Sequence, residues 1–235
     1  MAELVFLGTK GNIESLSREH KYHSSVAVKE KNTKIMIDFG TEHKYDFPGR
    51  SKADGLLITH AHPDHYAWAQ INVNTRMKVY LTQYSYHYGK HKPKKFQVIK
   101  PEKQFVIGEF KILPYSVIHS IRCPAIGFKI TISSETVIVY NPDVIDIENK
   151  DSILADANYY IGDGSSIRTS LVRKKAEYLF GHAKVSTQVN WCRKYGIDNI
   201  IFTHLGQDTI KNKKEFLEKN PEVVFAEDGM KVNIC

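Results

Sequence analysis

Three imidazoles and one carboxylate crowd into the short segment Thr59-His60-Ala61-His62-Pro63-Asp64-His65. Imidazole nitrogen suits zinc, iron and related ions, and a carboxylate adds the hard oxygen that manganese or iron also accept. Four such groups lie too close together for one tetrahedral ion to use them all, so the spacing predicts two adjacent metal sites. The plain alternative for the segment is a solvated polar loop.

Groups of this kind act together only when rigid elements hold them. The first half of the chain reads as short apolar runs, among them Leu4 to Leu7, Ser25 to Val28, Lys34 to Phe39, Leu56 to Thr59, Phe110 to Leu113, Ile126 to Ile132 and Val137 to Tyr140. Val, Ile, Phe and Tyr dominate these runs, and Gly, Asp, Asn, Pro or Lys separate them, which is the signature of strands. The second half alternates: strands at Tyr159 to Ile161, Asn199 to Thr203 and near Lys231 to Ile234, helices around Ser186 to Tyr195 and Lys211 to Lys219. A β-rich half followed by β/α units predicts a layered α/β protein. Pro63 is placed to open a helix over Asp64 to Gln70. Several runs end on a chemically active residue: Ile37-Asp38, Thr59-His60, Ile118-His119, Tyr140-Asn141-Pro142-Asp143 and Thr203-His204. Such endings, remote in sequence, can converge at one sheet edge.

The chain has 235 residues, 42% hydrophobic and 25% charged. That composition is ordinary for a folded protein, and the length predicts one domain over residues 1–235. The opening Met1-Ala2-Glu3-Leu4-Val5-Phe6-Leu7-Gly8 lacks the basic region of a signal peptide, and no stretch approaches the roughly 18 apolar residues of a membrane span. The expectation is a cytoplasmic protein with no membrane partner. Cys123, Cys192 and Cys235, without paired spacing, read as reduced thiols. A net charge of +7 is compatible with a polyanionic partner but is a small surplus.

The His-x-His-x-Asp-His pattern of His60 to His65 resembles the metallo-β-lactamase superfamily, and the resemblance runs from Phe6-Leu7-Gly8-Thr9 to His204. It implies a four-layer αββα sandwich, two facing mixed β-sheets flanked by helices, with metals at one edge. It also implies the ligands. His60 and His62 with His119 hold one ion, Asp64 and His65 with His204 hold the second, and Asp143 bridges them. Asp38, in Met36-Ile37-Asp38-Phe39-Gly40, matches the family's first motif, where the acid orients a ligand without binding metal. Two divalent ions are the implied cofactors, zinc foremost, with manganese or iron as alternatives. Such a pair, about 3.5–4 Å apart, acidifies a water between them and clamps the oxyanion formed by its attack.

The superfamily includes β-lactamases, thioesterases, lactonases, phosphodiesterases and nucleases, so other residues must select the reaction. Asp143 stands where typical zinc β-lactamases carry Cys, which argues against antibiotic hydrolysis. His182, in Leu179-Phe180-Gly181-His182-Ala183, resembles the catalytic His of the tRNA 3′-processing ribonuclease and related cyclic-phosphate phosphodiesterases. A His there protonates the leaving alkoxide, which phosphodiester cleavage needs more than acyl cleavage does. Asp163, in Gly162-Asp163-Gly164, matches an acid paired with that His that would raise its pKa. With Asp64 these form the expected catalytic set, the alternative being that His182 caps a helix and Asp163 closes a turn.

The expectation is a dinuclear phosphodiesterase or nuclease-like hydrolase acting on a phosphodiester, with nucleic acid a candidate substrate. Its alternative is a thioesterase or lactonase. A homodimer, common in the superfamily, stays open. Arg18, Lys21 and His23 are placed either to contact phosphate or to form an ordinary solvated loop. The basic, aromatic segment His87 to Phe96 reads as a strand-tracking surface or as another solvated loop. No long Gly-Pro-rich arm is present, so folded tRNA is not the expected substrate.

Overall fold

The computed structural model describes residues 2–14, 17–45, 53–133 and 135–234. Along the chain, β1 (Ala2–Gly8), β2 (Ser25–Glu30), β3 (Thr33–Ile37), β4 (Gly55–Leu57) and β5 (Val79–Thr82) precede α1 (Gln83–Tyr88) and β6 (Phe96–Ile99). Next come β7 (Phe105–Ile107), β8 (Phe110–Ile118), β9 (Ala125–Thr131), β10 (Val137–Tyr140), β11 (Asp146–Ile147), α2 (Lys150–Leu154) and β12 (Tyr159–Asp163). The chain closes with β13 (Arg173–Lys175), β14 (Tyr178–Phe180), α3 (Val185–Tyr195), β15 (Asn199–Thr203), α4 (Gln207–Lys219), β16 (Val223–Phe225) and β17 (Lys231–Ile234).

Two large mixed sheets result. One has the order β17-β1-β2-β3-β4-β5-β6, antiparallel from β17 to β3 and parallel from β3 to β6. The other has the order β11-β8-β9-β10-β12-β15-β16, with β7 beside β8, and is parallel from β10 through β16. Burial follows this topology. β1, whose residues alternate between buried and half-buried, turns one face inward, whereas β10 is buried along its whole length, as a parallel strand covered on both faces must be.

Leu4, Val26, Ile35 and Ile37 of the first sheet pack against Phe110, Phe128, Ile130 and Ile138 of the second in one core. Helices α2 and α3 cover the other face of the second sheet through Ile153, Leu154, Val185, Val189 and Cys192. The outer face of the first sheet is covered by Phe39, Tyr66 and Trp68, on loops and a 3-10 turn. The fold is the α/β metallo-β-lactamase sandwich, with few helices.

One expected helix does not form. Residues 64–70 make a turn and a short 3-10 segment, Ala67–Ala69, because Ala67 N bonds across to Phe39 O and Pro63 O, its partner in an α-helix, accepts from Thr41 N instead. Those bonds bind the loop to the strand end at Asp38 and cost it an α-helical register. The C-terminal helix begins earlier than its apolar pattern, at Gln207. Cys123 and Cys192 are buried and free, as expected, while Cys235 lies outside the described residues.

Gly127, in the middle of β9, faces Tyr115, whose hydroxyl oxygen would lie 2.4 Å from an added Cβ. Overpacking a closed core costs about 1–3 kcal/mol. Gly127→Ala is therefore expected to lower unfolding free energy by that amount in urea denaturation, with the denaturant slope unchanged.

Candidate metal centre

The parallel strands of both sheets run toward one edge, and the chemically active residues follow their ends. Asp38 succeeds β3, His60 follows shortly after β4, Asp143 follows β10, Asp163 ends β12 and His204 succeeds β15. His119 succeeds β8, which runs antiparallel to β9 and so in the same sense as β10. In the register of β12 and β15, Asp163 sits beside Thr203, which brings it next to His204.

Three overlapping groups of side chains could each hold a metal ion. They are His60, His62, His119 and Asp143; Asp64, His65 and His204; and Asp143, Asp163, His182 and His204. In the first group, Asp143 Oδ2 lies 3.1 Å from His60 Nε2 and 3.4 Å from His119 Nε2, and His62 Nδ1 is 2.9 Å from His60 Nε2. In the second, Asp64 Oδ2 is 3.2 Å from His204 Nε2 and 3.3 Å from His65 Nε2. Asp143 joins the two groups, because its Oδ2 also lies 3.3 Å from His65 Nε2.

The donor chemistry fits a divalent cation. Burial holds His60 well below the usual imidazole range, lowers His62 and takes His119 down to about 4, leaving neutral nitrogens with free lone pairs. Burial alone would do the same to His65 and His204, but the charge of Asp64 on the first and of Asp143 on the second holds both well above it. Those carboxylates thus favour positive charge where they meet the imidazole nitrogens, which a bound metal ion would supply. His65 Nε2 and Asp143 Oδ1 are buried without a hydrogen bond, although His204 Nδ1 stands 2.9 Å from the latter. Contacts this close and this poorly aligned are what ligands converging on a shared ion present.

Behind these groups stands Asp38. Its Oδ2 lies 2.8 Å from His65 Nδ1, and its Oδ1 accepts from Thr59 N at 2.8 Å and Thr59 Oγ1 at 2.9 Å. The backbone at Asp38 is left-handed, with φ of 62°, which turns the carboxylate back under His65.

His182 lies between the groups, its ring centroid 5.0 Å from that of His119 and 5.6 Å from that of His204. Its Nδ1 donates to Asp163 Oδ2 at 2.7 Å. Asp163 is fully buried and also accepts from Val144 N and Ser165 N. Burial works against the proton on His182, but the charge and hydrogen bond of Asp163 outweigh it and raise the imidazole. Asp163 in turn is held below the usual carboxylate range despite burial, chiefly by His182.

Sequence reading missed two residues here. Ser165 Oγ is 3.1 Å from His182 Nδ1 and 3.0 Å from His204 Nδ1. Gln188 accepts from Asp163 N and donates to the carbonyls of Asp163 and Ala183, holding the strand end against α3. A serine two residues past an acidic strand end was the only signal for the first, and a polar residue on the buried face of α3 the signal for the second.

Of the loop cations, Arg18 and Lys21 are exposed, whereas His23 is buried and its pKa lowered to about 3 by that burial. In the basic segment Lys92 is spent on α1, donating to His87 O at 3.1 Å and contacting the carbonyls of Tyr86 and Gly89.

A family model described as the beta-lactamase superfamily domain matches residues 19–161. The chain belongs to that superfamily. The match takes in His60 to His65, His119 and Asp143, and ends before Asp163, His182 and His204. No curated protein matches the sequence. Among solved structures, a diphosphatase from the PhnP family superimposes with a TM-score of 0.75 at 16% identity, over 100% of this chain and 98% of that one. Human tRNase Z, short form, gives 0.68 at 16% identity, over 99% of each chain. An isothiocyanate hydrolase from Delia radicum gut bacteria gives 0.69 at 14%, again over 99% of each. At these identities the likeness is one of fold and does not name a reaction.

Removing the charge behind His65 while keeping the shape tests the support. Asp38→Asn, which tolerates the left-handed backbone, is expected to weaken metal binding about 10–100-fold. Competition with a chromogenic chelator measures it; unchanged affinity would show that Asp38 has only a packing role.

Proposed function

We propose that this chain is a dinuclear, metal-dependent phosphodiesterase. The observation that carries the reading is His182, hydrogen-bonded through Nδ1 to a buried Asp163 and stationed between His119 and His204. A thioester expels a thiolate that needs little help, whereas an unactivated alkoxide leaving phosphorus needs a proton.

His60, His62, His119 and Asp143 would hold one ion, and Asp64, His65 and His204, with Asp143 shared, the other; zinc suits this nitrogen-rich set. When bound, divalent metal lowers the pKa of water and offsets charge on the phosphoryl oxygens. The residues do the rest. Against its burial, Asp64 is kept ionised by His65 and His204, so its carboxylate can accept a hydrogen bond from the attacking water and orient it, while the proton that water loses passes to solvent. The water oxygen bonds to phosphorus, the bond from phosphorus to the departing oxygen breaks, and that oxygen takes the proton from Nε2 of His182. With Nδ1 committed to Asp163, Nε2 is the nitrogen free to donate. Asp163 is a positioning residue that fixes the ring and favours its protonated form. His182 then recovers a proton from solvent.

His182→Ala is expected to lower kcat on a dinucleotide about 10²–10⁴-fold, the usual worth of a general acid. The same variant should change bis(p-nitrophenyl) phosphate turnover far less, because p-nitrophenolate leaves unprotonated, and metal content should hold. Rapid lactone or thioester cleavage indifferent to His182, with dinucleotides untouched, would replace this reading with an acyl hydrolase.

A further inference from the structure

Beside the centre lies a cavity of about 490 Å³, within the range of small-ligand sites, and His182 and His204 form part of its wall. Gly11 leaves room there, since a Cβ on it would come within 3.1 Å of the His204 ring. Ile13 and Leu171 add apolar surface. Two charged residues of α4 also line it, Asp208 and Lys211, and they differ in what they can offer a ligand. The Asp208 carboxylate is consumed by the loop after β12, accepting from Ser166 Oγ at 2.9 Å, Ile167 N at 2.8 Å and Arg168 N at 2.7 Å. Lys211 is exposed and pairs with no carboxylate among the described residues.

We infer that this cavity is the leaving-group subsite and that Lys211 reads a second phosphate carried by the leaving portion of a linear phosphodiester strand. The inference rests on the phosphodiesterase reading. A general acid must face the oxygen it protonates. Whatever hangs from that oxygen therefore lies on the His182 side of the scissile phosphorus, and this cavity, which has His182 itself in its wall, offers space there. A cyclic nucleotide keeps its leaving oxygen on the same sugar and would leave this volume unfilled. A strand carries a nucleoside through the leaving oxygen, whose sugar and base suit the Ile13 and Leu171 surface. Its next phosphate then meets an ammonium with no competing partner.

The test compares kcat/KM of the metal-loaded enzyme on three substrate types: a 3′,5′-cyclic nucleotide, a dinucleoside monophosphate, and the same dinucleotide with one terminal phosphate. Both the 3′- and 5′-phosphorylated isomers are used, and product analysis shows which nucleoside leaves. The isomer with phosphate on the leaving nucleoside should exceed the dinucleoside monophosphate by about tenfold, the worth of one charge-assisted hydrogen bond, and both should exceed the cyclic nucleotide. Lys211→Ala should bring that ratio close to one, whereas Lys214→Ala on the same helix should leave it in place. Equal efficiency with and without the phosphate, a preference that survives Lys211→Ala, or a cyclic nucleotide as best substrate overturns the subsite and leaves the phosphodiesterase standing. No cleavage of any of them, alongside turnover of a lactone or thioester, overturns the phosphodiesterase reading and the subsite together.

Discussion

Asp143 is a carboxylate with only 3% of its surface exposed, and His60, His65, His119 and His204 all place a ring nitrogen within 3.4 Å of it. Burying one ion costs several kcal/mol unless opposite charge and hydrogen bonds meet it. Here the compensating groups come from both sheets: His60 and His65 from the loop after β4, His119 from the end of β8, His204 from the end of β15. No strand pair could satisfy Asp143 alone. The closure of the sandwich and the assembly of the centre are thus one event, and a register slip of one residue, which would turn the side chains of a strand to its other face, would break both.

Backbone conformation is spent on the same task. Asp38 and His204 follow strands of different sheets, and both are left-handed, with φ of 62° and 55°. That conformation costs an L-residue about 1–2 kcal/mol. It persists at Asp38 because Thr59 and His65 together hold the carboxylate, and at His204 because Ser165, Asp64 and Asp143 surround the ring. Turning the side chain sharply back at the strand end is what brings it over the sheet edge instead of leaving it in the strand direction.

The strand ends and the His60 to His65 cluster were legible because their signals are local: an apolar run, then a ligand type. The β13–β14 hairpin was not. Arg173-Lys174-Lys175 is exposed throughout and carries no alternation to read. Helix α1, six residues of mostly aromatic and polar type, escaped for a similar reason, since its start is set by Thr82 Oγ1 accepting from Ser85 N and not by an apolar stripe. The helix expected after Pro63 failed through the opposite error. Local propensity favoured it, but the loop is pinned to Phe39 by Phe39 N to His65 O and Ala67 N to Phe39 O. Ser165 and Gln188 were invisible because their roles depend on who faces them across the fold.

The hairpin matters to the chemistry through one glycine. Gly181 N donates to His119 O, and His119 Nδ1 lies 3.0 Å from Gly181 O, so the residue before His182 is bonded twice to a residue of the metal cluster. Gly181 has φ of 117°, and a Cβ there would stand 2.0 Å from Leu171 O, so no other residue fits. Leu171, on the cavity wall, His182 and His119 are consequently fixed relative to one another through a single backbone position. Held this way, His182 cannot drift from the cluster without disturbing His119, and the cavity wall at Leu171 cannot move without displacing His182. The relative positions of His119, His182 and Leu171 thus depend on one short stretch of chain, residues 171 to 182, in which the sequence marks His182 but not the contacts that fix it.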